Sequence, residues 1–326
     1  MQTRPLGKTG ERVSALGFGC MGLVGWYGER DDAEAKATLL AAIDSGVTHL
    51  DTAASYQVGE NERFVGAALP GRRDKVFLAT KCGLAWKDGV LTVDNKPETI
   101  TASLDASLAR LGTDHVDLFY LHRIDRAVPI EESVGALAKL VAAGKTRYIG
   151  LSECSVETLT RAHAVHPIAA IQCEYSVWWR EPEQAMLPAC RKLGVGFVAY
   201  SPLGRGFLAG NFRTLADLPQ NDARRNQPRF VDENVQHNLR IVDAVRDLAT
   251  RKGATPAQIA LAWVMAQGED ILPIPGTKRR TRLAENIAAV DLKLSAAELS
   301  ELTSIVSQLA VKGERYPPAM MGALNG

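Results

Sequence analysis

The chain has 326 residues, and 38 Lys and Arg against 37 Asp and Glu leave a net charge of +1, so no basic excess marks a nucleic-acid or polyanion binder. Hydrophobic residues make up 46% of it, enough for a large core, yet no apolar run approaches the roughly 20 residues that would cross a bilayer, and the opening MQTRPLGKTGERV holds no apolar signal core. Five scattered cysteines without a C-x-x-C pair fit a reducing compartment, so the expectation is a cytoplasmic protein that binds neither membrane nor nucleic acid.

Short apolar runs predict strands at 13–19, 47–53, 76–81, 116–122, 147–152, 169–176, 194–201 and 270–276. Helical patterns fall between and after them, at about 32–45, 60–69, 97–111, 131–142, 155–165, 184–193, 234–252, 256–267, 279–290 and 295–309. Asp31-Asp32, Ser155 and Ser295 with Glu298 read as N-terminal caps, and Thr255-Pro256 as a helix start. Eight strands, each leading to a helix, predict a (β/α)₈ TIM barrel forming one domain over 1–326, with a doubly wound sheet as the alternative that alternation alone leaves open. One long stretch, 202–233, has no periodicity, and loops of that length in a compact domain are usually functional.

Gly17-Phe18-Gly19-Cys20-Met21-Gly22 matches the dinucleotide-binding fingerprint G-x-G-x-x-G, but a helix should begin inside that motif. Here LVGWYGER follows and the helix starts only near Asp31, so the glycines read as a strand-end turn that lets backbone approach a flat ligand.

Barrel chemistry sits where strands end. The second strand ends in Asp51 with Tyr56 five residues on, the third in Lys81 and the fourth in His122. Each has a structural reading alone: a cap, a snorkelling lysine, a core histidine. Delivered to one rim, they can protonate a carbonyl oxygen. A phenol with its ordinary pKa of about 10 is a weak acid near neutrality, and a nearby ammonium is expected to lower that value. Asp51 would keep Lys81 charged and in place, and a neutral imidazole could donate to the same oxygen. No nucleophile stands with a base and no cluster has metal-ligand spacing, so the hydride must come from a cofactor.

A second cluster raises its own question. Lys278, Arg279, Arg280 and Arg282 fall in the first turn or so of a predicted helix, where exposed N–H groups already carry partial positive charge. A dianionic phosphate there would reverse the sign of that repulsion and accept from the free N–H groups.

The stretches GFGCMG, DTAASYQVGENE, FLATK, LFYLHR, IGLSE, IQCEYS, YSPLGRG and IPGTKRRTRLAEN resemble, in order, those of the aldo-keto reductases, and of their bacterial and plant auxin-induced-like branch. The resemblance implies a barrel that binds NADPH/NADP+ without a Rossmann motif and reduces aldehydes or ketones. It implies the catalytic tetrad Asp51, Tyr56, Lys81 and His122, with Tyr56 as general acid. It implies nicotinamide contacts from Gly19, Cys20, Met21, Asp51, Ser152 and Gln172, with Tyr200 stacked on the ring. It also places Glu153 at the cofactor, where many members have asparagine; a glutamate there can accept from the carboxamide NH₂ but cannot donate to its oxygen. Ser201, Leu203, Arg205 and Gly206 match the pyrophosphate cover, which makes 202–233 a cofactor-covering loop. Gly276, Thr277, Lys278 and Arg282 match the 2′-phosphate site, with Glu285 and Asn286 near the adenine and Arg279 and Arg280 facing solvent. Trp26, Tyr27 and Trp86 are candidate walls of the substrate pocket. Two other functions stay open: an NADPH-binding regulatory subunit like the channel β-subunits of this family, and a phosphate-binding isomerase or aldolase using Lys81 as a Schiff base. Neither the substrate nor the oligomeric state is legible.

Overall fold

The computed structural model describes residues 1–87 and 90–324; of Trp86, Lys87 and Asp232 it describes the backbone alone, so the expectation for the Trp86 side chain lies outside the described residues. Its centre is a sheet of eight strands: β1 Phe18–Gly19, β2 His49–Asp51, β3 Phe77–Cys82, β4 Val116–Leu121, β5 Thr146–Ser152, β6 Ala170–Glu174, β7 Gly196–Tyr200 and β8 Ile271–Pro273. They lie in chain order, each adjacent pair parallel.

The sheet closes on itself. Gly17 N–H donates to Pro273 O (2.9 Å) and Gly19 N–H to Pro275 O (3.2 Å), joining the first strand to the last. Closure decides for the barrel over the doubly wound sheet. The seam also explains two of its glycines: a Cβ on Gly19 would lie 2.8 Å from Ile274 O, and one on Gly276 would lie 2.7 Å from Gly19 O.

The helices start where the caps predicted. In α1, Asp32–Asp44, the Asp31 carboxylate accepts from Glu34 N–H, and in α5, Val156–Val165, Ser155 accepts from Thr158 N–H. Thr255 and Gln258 box the start of α8, Pro256–Ala266, and Ser295 and Glu298 that of α10, Ala296–Leu309. The others are α2 Glu60–Gly66, α3 Pro97–Leu111, α4 Ile130–Ala142, α6 Met186–Leu193, α7 Asp232–Lys252 and α9 Arg280–Ala288, with a last turn, α11, at Pro318–Met321.

Three features depart from the sequence reading. The run 13–19 is not one strand. Arg12–Ser14 pairs with Thr3–Pro5 in a hairpin. Ser14 and Thr48 exchange hydrogen bonds, each backbone N–H donating to the other's hydroxyl (2.8 and 3.0 Å), and this side-chain link replaces a continued ladder. Leu6 and Val13 of the hairpin pack with Phe77, Leu118, Tyr120, Val198 and Leu272 and close the N-terminal end of the barrel. A second, unexpected hairpin, Leu84–Lys87 with Val90–Val93, follows β3. The segment 202–233 is not featureless either. It makes four 3₁₀ turns; Phe207, Phe212 and Phe230 pack on one another, and Phe207 and Phe230 on Trp178, with ring centroids 5.1–6.2 Å apart.

Candidate active site

At the C-terminal rim, Lys81 is wholly buried and its ammonium is shared between the Asp51 carboxylate and the Thr52 carbonyl, at 2.8 Å from the latter. Asp51 is fixed from its other oxygen, which accepts from Gln172 Nε2 (2.8 Å). The turn after β2 carries Tyr56 over this pair, with Lys81 Nζ 5.3 Å from its ring centroid. His122, at the end of β4, meets the same ring edge-on at 5.8 Å, and its Nδ1 lies 3.2 Å from Ser55 Oγ. The four predicted side chains are thus together.

Electrostatics at this point differ from the expectation. Burial pushes the Tyr56 phenol well above its ordinary value, the Asp51 carboxylate adds to that, and the cation of Arg123 opposes only in part. The phenol therefore stays protonated. Burial also draws Lys81 below its ordinary value, with Asp51 working in the opposite direction. His122 is driven well below its usual range by burial and by the cations of Arg123 and Lys81, so its imidazole is neutral.

Around the rim beyond β5, β6 and β7 lies a buried ionic network that sequence reasoning missed. Arg315, in the C-terminal tail, donates to the Glu153 carboxylate, to Glu174 (3.1 Å) and to Tyr200 OH (2.9 Å). Arg229 pairs with the other oxygen of Glu174 and lies over the rings of Trp178 and Trp179 at 5.2 and 4.8 Å. Burial pushes the Glu174 carboxyl up, but the two arginines together hold it below the usual range. Glu153 Oε1 also accepts from Tyr200 OH (2.8 Å) and from Glu174 N–H (3.0 Å). In this structure Glu153 anchors the tail and the Tyr200 hydroxyl, and Trp178 and Trp179 serve packing. Arg123 reaches back from the end of β4 to Ser152 Oγ (3.2 Å). Six of the seven non-glycine residues with left-handed backbone in the described residues, Trp26, Gln57, Val58, Glu153, Ser201 and Arg205, lie on loops leaving strand ends, so strain is concentrated at this rim.

The basic end faces the loops after β1 and β7. Lys278 donates to the carbonyls of Tyr27 (2.6 Å) and Glu29, Ala223 N–H donates to Trp26 O (3.1 Å), and Arg224 lies 5.0 Å over the Tyr27 ring. Trp26 and Tyr27 thus form one jaw of a clasp with 219–224. Arg205 covers the Tyr316 ring at 4.8 Å. Gly19, Cys20 and Met21 lead from β1 toward this clasp, and Ser201, Leu203 and Gly206 lead from β7. Arg280 turns away to the Glu34 carboxylate of α1 (2.9 Å).

A phosphate dianion suits the start of α9. Its N-cap residue, Arg279, supplies no side-chain cap and its first turn holds no acid, although the Glu34 carboxylate of α1 accepts from Arg280 N–H (3.0 Å). Thr277 Oγ1 accepts from Arg279 N–H (3.2 Å), while the Arg282 guanidinium has no hydrogen-bond or ion-pair partner among the described residues. Burial draws Lys278 and Arg282 below their ordinary values, and in each the cation of Arg279 adds to the effect, while Asp222 opposes it at Lys278 and Glu285 at Arg282. Glu285 is half-buried and Asn286 buried one turn on. All five cysteines are buried, and burial pushes each thiol up, which disfavours thiolate chemistry beside Lys81.

The missed residues share a cause. Ser55, Arg123, Arg229 and Arg315 act through contacts that no local pattern encodes; only the position of Ser55 beside Tyr56 and of Arg123 beside His122 could have flagged two of them.

Known proteins give the same picture. The Aldo/keto reductase family matches residues 15–307. Schizosaccharomyces pombe has an aldo-keto reductase, yakc [NADP(+)], that is 46% identical over 323 residues, covering 97% of this chain and 94% of that protein. Among solved structures, the glycerol dehydrogenase of Gluconobacter oxydans superposes with a TM-score of 0.86 at 30% identity, covering 97% of this chain and 98% of the other. A thermostable aldo-keto reductase in complex with the inhibitor epalrestat reaches 0.75 at 32% identity, covering 94% and 100%. A likeness that runs through almost every strand and loop, in sequence as in structure, makes this chain a member of the aldo/keto reductase family.

Proposed function

We propose that the protein is an NADPH-dependent reductase of aldehydes and ketones in which Tyr56 delivers the proton. The observation that carries this reading is the Tyr56 ring held over the buried Lys81–Asp51 pair with the neutral His122 edge-on beside it. NADPH, when bound, supplies a hydride to the carbonyl carbon. Arg282, Lys278 and the start of α9 hold its 2′-phosphate. Tyr56 gives its phenolic proton to the carbonyl oxygen, and the Lys81 ammonium beneath stabilises the phenolate that remains. Asp51, itself held by Gln172, keeps Lys81 in position. His122 donates an N–H to the same oxygen. Lys81 is wholly buried and commits its ammonium to Asp51 and Thr52, which favours a fixed charge over a Schiff-base nucleophile.

The test is NADPH consumption with 4-nitrobenzaldehyde and a panel of aldehydes, ketones and sugars. Turnover that needs Tyr56 supports the reductase; NADPH binding without turnover of any of them favours the regulatory reading.

Two results are expected alongside. Arg282→Ala should raise the KM for NADPH about 10- to 100-fold, the loss of one charge-assisted contact, and leave the KM for NADH nearly unchanged; equal effects on both would remove Arg282 from the 2′-phosphate. The pH profile of reduction should be flat from the ordinary value of histidine, about 6.5, up to an alkaline limb set by Lys81, which is drawn below its own ordinary value. His122 takes up its proton only below that window because its value is lowered, and Tyr56 loses its own only above it because its value is raised. A break inside the window in kcat at saturating substrate would contradict the assignment.

A further inference from the structure

The residue before the proposed acid has a task of its own. Ser55 and Tyr56 are consecutive in the turn after β2, which is closed by Tyr56 N–H donating to Ala53 O (3.1 Å). That turn grips His122 from two sides: the phenol meets the ring at an interplanar angle of 83°, and the Ser55 hydroxyl sits 3.2 Å from Nδ1. Nδ1 is the only hydrogen-bond partner that the described residues give the Ser55 hydroxyl, and Ser55 is the only partner they give the His122 ring.

A neutral imidazole has one N–H, and the hydrogen bond at one nitrogen decides which nitrogen carries it. If Nδ1 carried the proton and donated to Ser55, Nε2 would present a lone pair, which repels a carbonyl oxygen gaining negative charge. If Ser55 donates to Nδ1, Nε2 carries the N–H and can meet that oxygen.

We infer that Ser55 is a positioning residue that donates its hydroxyl proton to His122 Nδ1 and so fixes the imidazole in the Nε2–H form that faces the carbonyl oxygen. The role of that N–H rests on the reductase reading above; the hydrogen bond does not.

The experiment uses the full-length protein labelled with ¹⁵N-histidine, in which the His122 signals are assigned by their loss in His122→Asn. At pH 7 the wild type should show a neutral ring with the proton on Nε2 and the Nδ1 resonance displaced by an accepted hydrogen bond. Ser55→Ala should lose that displacement, and kcat should fall about fivefold, the equivalent of one ordinary hydrogen bond, with KM little changed. Ser55→Thr, which keeps the hydroxyl, should restore both. A proton on Nδ1 or an imidazolium in the wild type overturns the inference, as does an alanine variant with unchanged ring signals. A wild type with the expected ring signals but no turnover of any carbonyl would count against the reductase and uphold the hydrogen bond.

Discussion

Tyr56→Phe should lower kcat/KM for carbonyl reduction by about 10²–10⁴-fold, the usual contribution of a positioned proton donor. The loss should fall on kcat. The phenylalanine ring fills the same space against His122 and over Lys81, so folding and NADPH binding, followed by thermal unfolding and by quenching of tryptophan fluorescence, should stay near wild type. The size of the effect follows from the environment. The described groups beside this ring are poor proton donors to a substrate: the neutral imidazole of His122 is a very weak acid, and the Lys81 ammonium is committed to Asp51 and Thr52. A variant keeping more than about a hundredth of the activity would show that another group or water supplies the proton, since the smallest usual contribution of such a donor is about 10².

The second large effect is on stability. Arg315→Leu should destabilise the protein by about 3–5 kcal/mol in urea unfolding, because it leaves buried carboxylates without their partner. Glu153 would lose an ion pair while still accepting from Tyr200, and Glu174 would keep Arg229 alone. Arg315 is 4% exposed, so water cannot replace the pairing without moving the tail. The ring of Trp179, over which Arg315 lies at 5.2 Å, should report that movement as a change in fluorescence. Glu153→Gln combined with Arg315→Leu should cost less than the sum of the two changes, because the double variant no longer buries an unpaired charge between them. Strict additivity would mean that the pair contributes nothing as a pair.

Much of this is legible in the sequence alone. The residues that end β2, β3 and β4 are polar after apolar runs, and strand periodicity places such residues at a barrel rim. The helix starts were legible because a cap is a local pattern: Ser295 with Glu298 works through a contact three residues long. What could not be read is what depends on closure. The run 13–19 looked continuous because its residues are apolar, while the break is made by a partner, Thr48, that no local window contains. Arg315 looked like part of an irregular tail because its contacts lie more than a hundred residues away. The acidity of Tyr56 escapes the sequence for a related reason. Charge neighbours can be guessed from strand ends, but the depth of burial that outweighs them comes from the whole rim.

The seam between Gly19 and Gly276 has a consequence for how the chain is made. Hydrogen bonds there join the earliest barrel strand to the latest, more than 250 residues apart. A ribosome delivers the chain in order, so seven strands emerge before Ile271 does, as a curved ribbon with two unpaired borders. Cylinder formation waits for the final stave, and during that interval each border is a template for a neighbouring nascent chain.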